Sequence, residues 1–106
     1  MNIKLVSELL EEIENNNTII RSKLCDLNII CLTYCNDKDI EKSDRIKLKN
    51  IINYCFLVLL LFDSNKIDTE NIVKIIKTKA LYLKLDLLFN VKEDPSGFAD
   101  MITKIL

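Results

Sequence analysis

The side chains in this sequence that could do chemistry are few, and the commonest of them is missing. Among 106 residues there is no histidine, which removes the usual general base, the usual partner of a nucleophile and a frequent zinc ligand together. Four thiols remain, Cys25, Cys31, Cys35 and Cys55. A catalytic cysteine needs an activating neighbour, and these four sit on apolar stripes where a thiol stays protonated and inert. Cys31 and Cys35 stand one helical turn apart and could share a metal with Cys25 or Cys55. Their spacing nevertheless lacks the close pairs of zinc sites, and no imidazole completes the set. No export signal is legible in the amphipathic, acidic start MNIKLVSELLEEIE, so a reducing, cytoplasmic compartment and small buried thiols are expected instead of a disulfide framework.

Two acidic stretches invite a calcium test. In the first, Asp37, Asp39 and Glu41 are followed by Lys42 where the loop needs glycine and by Leu48 where it needs the bidentate glutamate. The second, Asp63, Asn65 and Asp68, has Ile67 at a ligand position, Asp68 in place of glycine and Lys74 in place of glutamate. Both fail, and they read as caps and turns. A single glycine, Gly97, rules out a glycine-rich phosphate loop. The expectation is a non-enzymatic protein with no cofactor and no metal.

Charge points the same way. Fifteen basic and sixteen acidic residues leave a net charge of -1, and only Arg21 and Arg45 are arginines. Duplex binders usually carry a positive excess that displaces counterions from phosphates, so nucleic acid is disfavoured. Lys42, Arg45, Lys47 and Lys49 cluster before the central run, and Lys74, Lys77 and Lys84 lie broadly on one side of the following helix; these could contact an anion, and a small nucleic-acid-associated regulator using the cluster at 42–49 is the alternative reading. Glu41 and Asp44 interrupt that cluster, and no aromatic residue is interleaved to stack a base. An anionic membrane is disfavoured on the same grounds. The wealth of Ile, Asn and Lys suits AT-rich codons, as in a low-GC bacterium, a protist or a large DNA virus.

The elements that must position these groups are helical. One glycine and one proline, Gly97 and Pro95, leave too few turn formers for a sheet protein. The organising stretch is Ile51 to Phe62, IINYCFLVLLLF, which is far shorter than the roughly twenty apolar residues a bilayer demands. As a helix it has no solvent face and must be covered on every side. The expected fold is an all-α, four- or five-helix bundle, a single domain over residues 1–106, wrapped around a buried central helix at about residues 44–62 that Ser43 caps. A further helix is expected from Thr69 to about Asn90, capped by Asp68. Its stretch 81–89 alternates like a strand, but its leucine, alanine and lysine favour helix. A turn at residues 93–97 leads to a short last helix whose stripe is Phe98, Met101, Ile102 and Ile105. Docked on another molecule, that tail would make an inhibitor or immunity-type protein.

The first thirty-five residues admit two readings. Asn15, Asn16 and Asn17 suggest a break, with Asn17 or Thr18 capping a second helix. Yet one heptad frame runs from Ile3 to Tyr34, and a break strands Glu11, Glu12 and Glu14 at a helix C-terminus and Arg21 and Lys23 at an N-terminus, against both dipoles. A continuous helix over residues 2–35 removes that conflict and places Asn17 at an a position, where one asparagine can fix register and partner number. The function expected on this basis is a helical protein-protein interaction module, of adaptor or inhibitor type, that forms a homodimer through Leu10, Ile13, Asn17, Ile20, Leu24 and Leu27.

Overall fold

A computed structural model of the chain describes residues 1–67, 69–92 and 97–106. The described residues form five helices, α1 Ile3–Asn15, α2 Arg21–Cys35, α3 Lys42–Asp63, α4 Glu70–Phe89 and α5 Phe98–Ile105. No strand occurs among them, so the fold is the all-α bundle that the composition implies.

The N-terminal stretch breaks. Asn2 opens α1 by accepting the Leu5 N–H at 3.1 Å, and the helix buries Val6, Leu9, Leu10 and Ile13 before stopping at Asn15. Residues 16–20 are not helical, so in this single-chain structure the helix over residues 2–35 is broken. Low helix propensity along the asparagines favours the break, and Ile19, only 7% exposed, pins the connection to the core. The charge conflict is relieved from outside each helix. Lys23 reaches Glu12 at 2.9 Å, and Lys84 of α4 lies 2.7 Å from Glu14 and 4.0 Å from Glu11. Neither Asn17 nor Thr18 caps α2; Ile20 holds that place, with no side-chain bond.

Helix α3 starts at Lys42, two residues before the expected boundary. Glu41 is the last extended residue, so Ser43 falls inside the first turn instead of capping it. Arg45 turns back to donate to the Asp37 carbonyl at 3.0 Å, which folds the α2–α3 connection. Thr69 caps α4 by accepting the Ile72 N–H at 3.3 Å, while the expected cap, Asp68, lies outside the described residues. The alternating stretch 81–89 is helical, with Leu83 and Leu87 turned inward. Asn90 ends α4 with a left-handed φ of 57°, a conformation asparagine tolerates. Of the expected turn at residues 93–97 only Gly97 is described, and its φ of +77° is the left-handed backbone that favours glycine at the entry to α5.

Packing pairs α2 with α3 and α1 with α4, and α5 lies on α3. From α3 the buried side chains are Lys47, Leu48, Ile51, Tyr54, Cys55, Val58 and Leu61. Tyr54 sits at the centre, 1% exposed, and its hydroxyl donates to the Ile76 carbonyl at 2.9 Å. A phenol buried there needs such an acceptor, since an unpaired polar group in the core is costly. Its ring stands 5.7 Å from that of Phe98, which seats the C-terminal helix on the same spot. Ile102, fully buried beside it, makes α5 part of the core. Replacing it as Ile102→Ala is expected to lower unfolding free energy in urea by about 2–5 kcal/mol; a loss below about 0.5 kcal/mol would show that the tail is peripheral.

Candidate interaction surface

The residues that sequence reasoning assigned to self-association are divided by the fold. Leu10, Ile13, Leu24 and Leu27 are buried inside the chain's own core, whereas Asn17 and Ile20 are exposed in the α1–α2 connection. Their common stripe is therefore an interior seam in the closed chain. The tail residues behave alike: Phe98 and Ile102 are buried, and Met101 and Ile105 are half-buried. The basic cluster is also split. Lys42 and Lys49 are exposed, but Lys47 is buried and donates to the Asn90 side-chain oxygen, tying α3 to the end of α4. With Arg45 half-buried and engaged with Asp37, the four cations do not share one surface.

A different surface emerges on the outer side of the α2–α3 pair. On α2, Cys25, Ile29 and Leu32 recur at the spacing of one helical face, with Ile29 61% and Leu32 42% exposed. On α3, Lys42, Arg45, Lys49, Ile52 and Phe56 recur in the same way, and Phe56 is 60% exposed. Arg21 of α2 meets Asp63 of α3 at 3.4 Å and also lies 3.9 Å from the Cys25 sulfur. That ion pair joins the start of α2 to the end of α3, as in an antiparallel hairpin. Together the two stripes, exposed and apolar at Ile29, Leu32 and Phe56 and basic toward the start of α3, make up the candidate surface, here named the trough. Sequence reasoning passed over it because the heptad frame used Leu24, Leu27, Cys31 and Tyr34 and left Ile29 and Leu32 unassigned. A second stripe on one helix was the available signal.

Burial sets two of the thiols apart from the other two. All four are free. Burial pushes Cys31 from its ordinary 9.0 up to about 12, with nearby Cys35 adding to the rise, and burial pushes Cys55 higher still, with Cys31 and Cys25 contributing. A protonated thiol in an apolar contact is neither nucleophile nor metal ligand, and no cluster of metal-binding groups occurs among the described residues. A cleft of about 300 Å³ opens between α3, α4 and α5 beside Asn50, Asn53, Tyr82 and Asp86. Asp86 faces Lys92 at 3.6 Å, so its carboxylate already has a counterion.

Two measurements follow from the thiols. In the native protein Cys25 and Cys35, both partly exposed, are expected to react with Ellman's reagent ahead of Cys31 and Cys55, which wait for unfolding; equal rates for all four would contradict that burial. The fold also holds Cys31 protonated while the unfolded chain loses that proton near 9.0. The unfolded state then binds fewer protons, so stability falls as pH rises from about 9 to about 12. Urea midpoints across that window should fall less steeply in Cys31→Ala.

No family model, no curated protein and no solved structure matches this chain.

Proposed function

We propose that the chain is a non-enzymatic helical interaction module that holds an amphipathic helix of another protein in the trough between α2 and α3. The observation that carries this reading is the exposure of Ile29, Leu32 and Phe56 on one side of a hairpin whose opposite side is fully buried. Two packed antiparallel helices present a groove into which a third lays its apolar stripe, and residues three and four apart then serve as anchors. Aromatic and branched side chains at the centre of such a contact supply most of its energy. The charge of the trough selects the partner's polarity. Lys42 and Lys49 stand exposed on the α3 wall ahead of Ile52 and Phe56, so the docked helix carries acidic residues at that end.

The absence of histidine and the burial of two thiols support a binding role over catalysis. A nucleic-acid role has less support, because Lys47 is turned toward Asn90 and the net charge is -1. An inhibitor acting through its tail has less support too, since Phe98 and Ile102 face the chain's own core.

A displayed library of amphipathic helices, selected on the wild-type chain, tests the reading without knowledge of the natural partner. Selected sequences are expected to carry apolar residues at helical spacing with acids at one end. Their affinity should drop at least about tenfold against Ile29→Lys or Phe56→Lys, the equivalent of about 1.4 kcal/mol, and by less against Lys49→Glu. Binders indifferent to both apolar substitutions would sink the proposal.

A further inference from the structure

We infer that the surface of α4 that receives α1 also accepts the α1 of a second copy of this chain, with α1 and α2 straightening into one helix from Ile3 to Cys35. This goes beyond the docking role proposed for the α2–α3 trough and uses different residues. Four observations converge on it.

The first is phase. Val6, Leu10 and Ile13 define the buried side of α1. Carried through residues 16–20 at about 100° per residue, the same side returns at Asn17, Ile20, Leu24, Leu27 and Cys31, and the last three define the buried side of α2. Two helices joined by a non-helical connection need not share a phase. Here they do, so straightening leaves both faces usable without rotating either one.

The second observation is electrostatic. In the closed chain Glu11, Glu12 and Glu14 crowd the C-terminus of α1 and Arg21 and Lys23 open α2, each against the local dipole. Straightening removes both termini. The compensating contacts, Lys84 with Glu14 and Lys23 with Glu12, re-form between copies, because the second copy's α1 occupies the same place.

The third is the connection itself. Ile20 opens α2 without a side-chain cap and is 40% exposed, and Asn17 is exposed beside it. In the straight helix both fall on the apolar side, where two long helices related by a two-fold axis cross. Ile20 then packs against its counterpart, and Asn17 finds an amide partner in the other copy. The buried Ile19 is the contact given up.

The fourth is length. A straight helix of that span is about 50 Å long at 1.5 Å per residue, against a long axis of 40 Å for the closed chain. Segment α1 would stand clear of its own bundle and leave its α4 groove open to the other copy. Exchange of an identical element in this way keeps the native contacts and changes only the hinge.

The test uses the contact that changes hands. Wild-type chain, half of it labelled with heavy isotopes, is refolded as a mixture at high concentration, and the fraction of twice the monomer mass is isolated by size exclusion with light scattering. Carbodiimide then links Glu14 to Lys84, which lie 2.7 Å apart. In the dimer this link is expected to join a labelled to an unlabelled chain; links confined to single chains would overturn exchange. Absence of any dimer, both in wild type and in Asn16→Ala/Asn17→Ala/Thr18→Ala, would overturn it as well.

Two further variants separate this inference from the trough. Asn16 already has the extended backbone that must precede a proline, φ -80° and ψ 144°. Asn17→Pro should therefore fold as a monomer with an unchanged melting temperature, while its dimer dissociation constant rises at least about a hundredfold, since proline breaks a helix interior. A dimer that survives Asn17→Pro refutes the straight helix. Phe56→Lys should leave the dimer intact even as it weakens peptide binding at least about tenfold, whereas loss of the dimer in that variant would mean that copies pair through the trough instead.

Discussion

A helix with apolar side chains on every side cannot rest against water, and α3 is that helix. From Ile51 to Phe62 its only polar groups are the Asn53 amide and the Tyr54 hydroxyl, so its neighbours are positioned by the need to cover it. Helix α2 covers one side, α4 a second and α5 part of a third. Tyr54 fixes the arrangement. Its ring occupies the centre, and its hydroxyl has one acceptor, the Ile76 carbonyl. Because an orphaned phenol there would forfeit a hydrogen bond in a low-dielectric interior, the separation of α3 and α4 is set by that bond. Phe98 then closes over the same ring. The cover stops short of Phe56, which is 60% exposed and leaves that side of α3 open.

Much of this was legible in the sequence, because periodicity reports burial wherever a helix has one buried face. Ile3, Val6, Leu10 and Ile13 announced α1, and the tail stripe of Phe98 and Ile102 announced α5. The strand-like alternation of Leu81, Leu83, Leu85 and Leu87 resolved as helix because leucine populates both sides of α4, only Leu83 and Leu87 being turned fully inward. The reading failed where two forces competed. At the asparagines, heptad phase and helix dipoles argued for continuity, but Lys84 neutralises Glu14 from a distance of seventy residues along the chain, a partner that local reasoning could not see. Lys47 was counted among surface cations for the same reason: its partner, Asn90, is forty-three residues away.

The candidate surface was hidden differently. Nothing in Ile29, Leu32 or Phe56 separates them by residue type from their buried neighbours. Sequence pattern shows that α2 and α3 carry apolar residues in excess of one face, but which face the remaining helices cover depends on where α4 and α5 run. Had α5 docked across α2, the trough would be core. Its present seat on Tyr54, together with the pairing of α1 with α4, leaves the α2–α3 hairpin without a third neighbour on the outside.

That division of labour bears on how the two proposals combine. Helix α1 packs chiefly on α4 and also against α2, and Phe56 and Leu32 stay exposed with α1 in place. An exchanged α1 therefore alters neither wall of the trough, and a dimer built by exchange would carry two intact troughs at a fixed separation set by one straight helix per chain. Two linked sites bind a partner with two matching segments far more tightly than either does alone, provided the spacing fits. The asparagine-rich connection would then govern valency and the trough would govern partner choice. Residues 16–20 could thus be tuned by propensity alone, through asparagine, threonine or alanine, without touching a single docking contact.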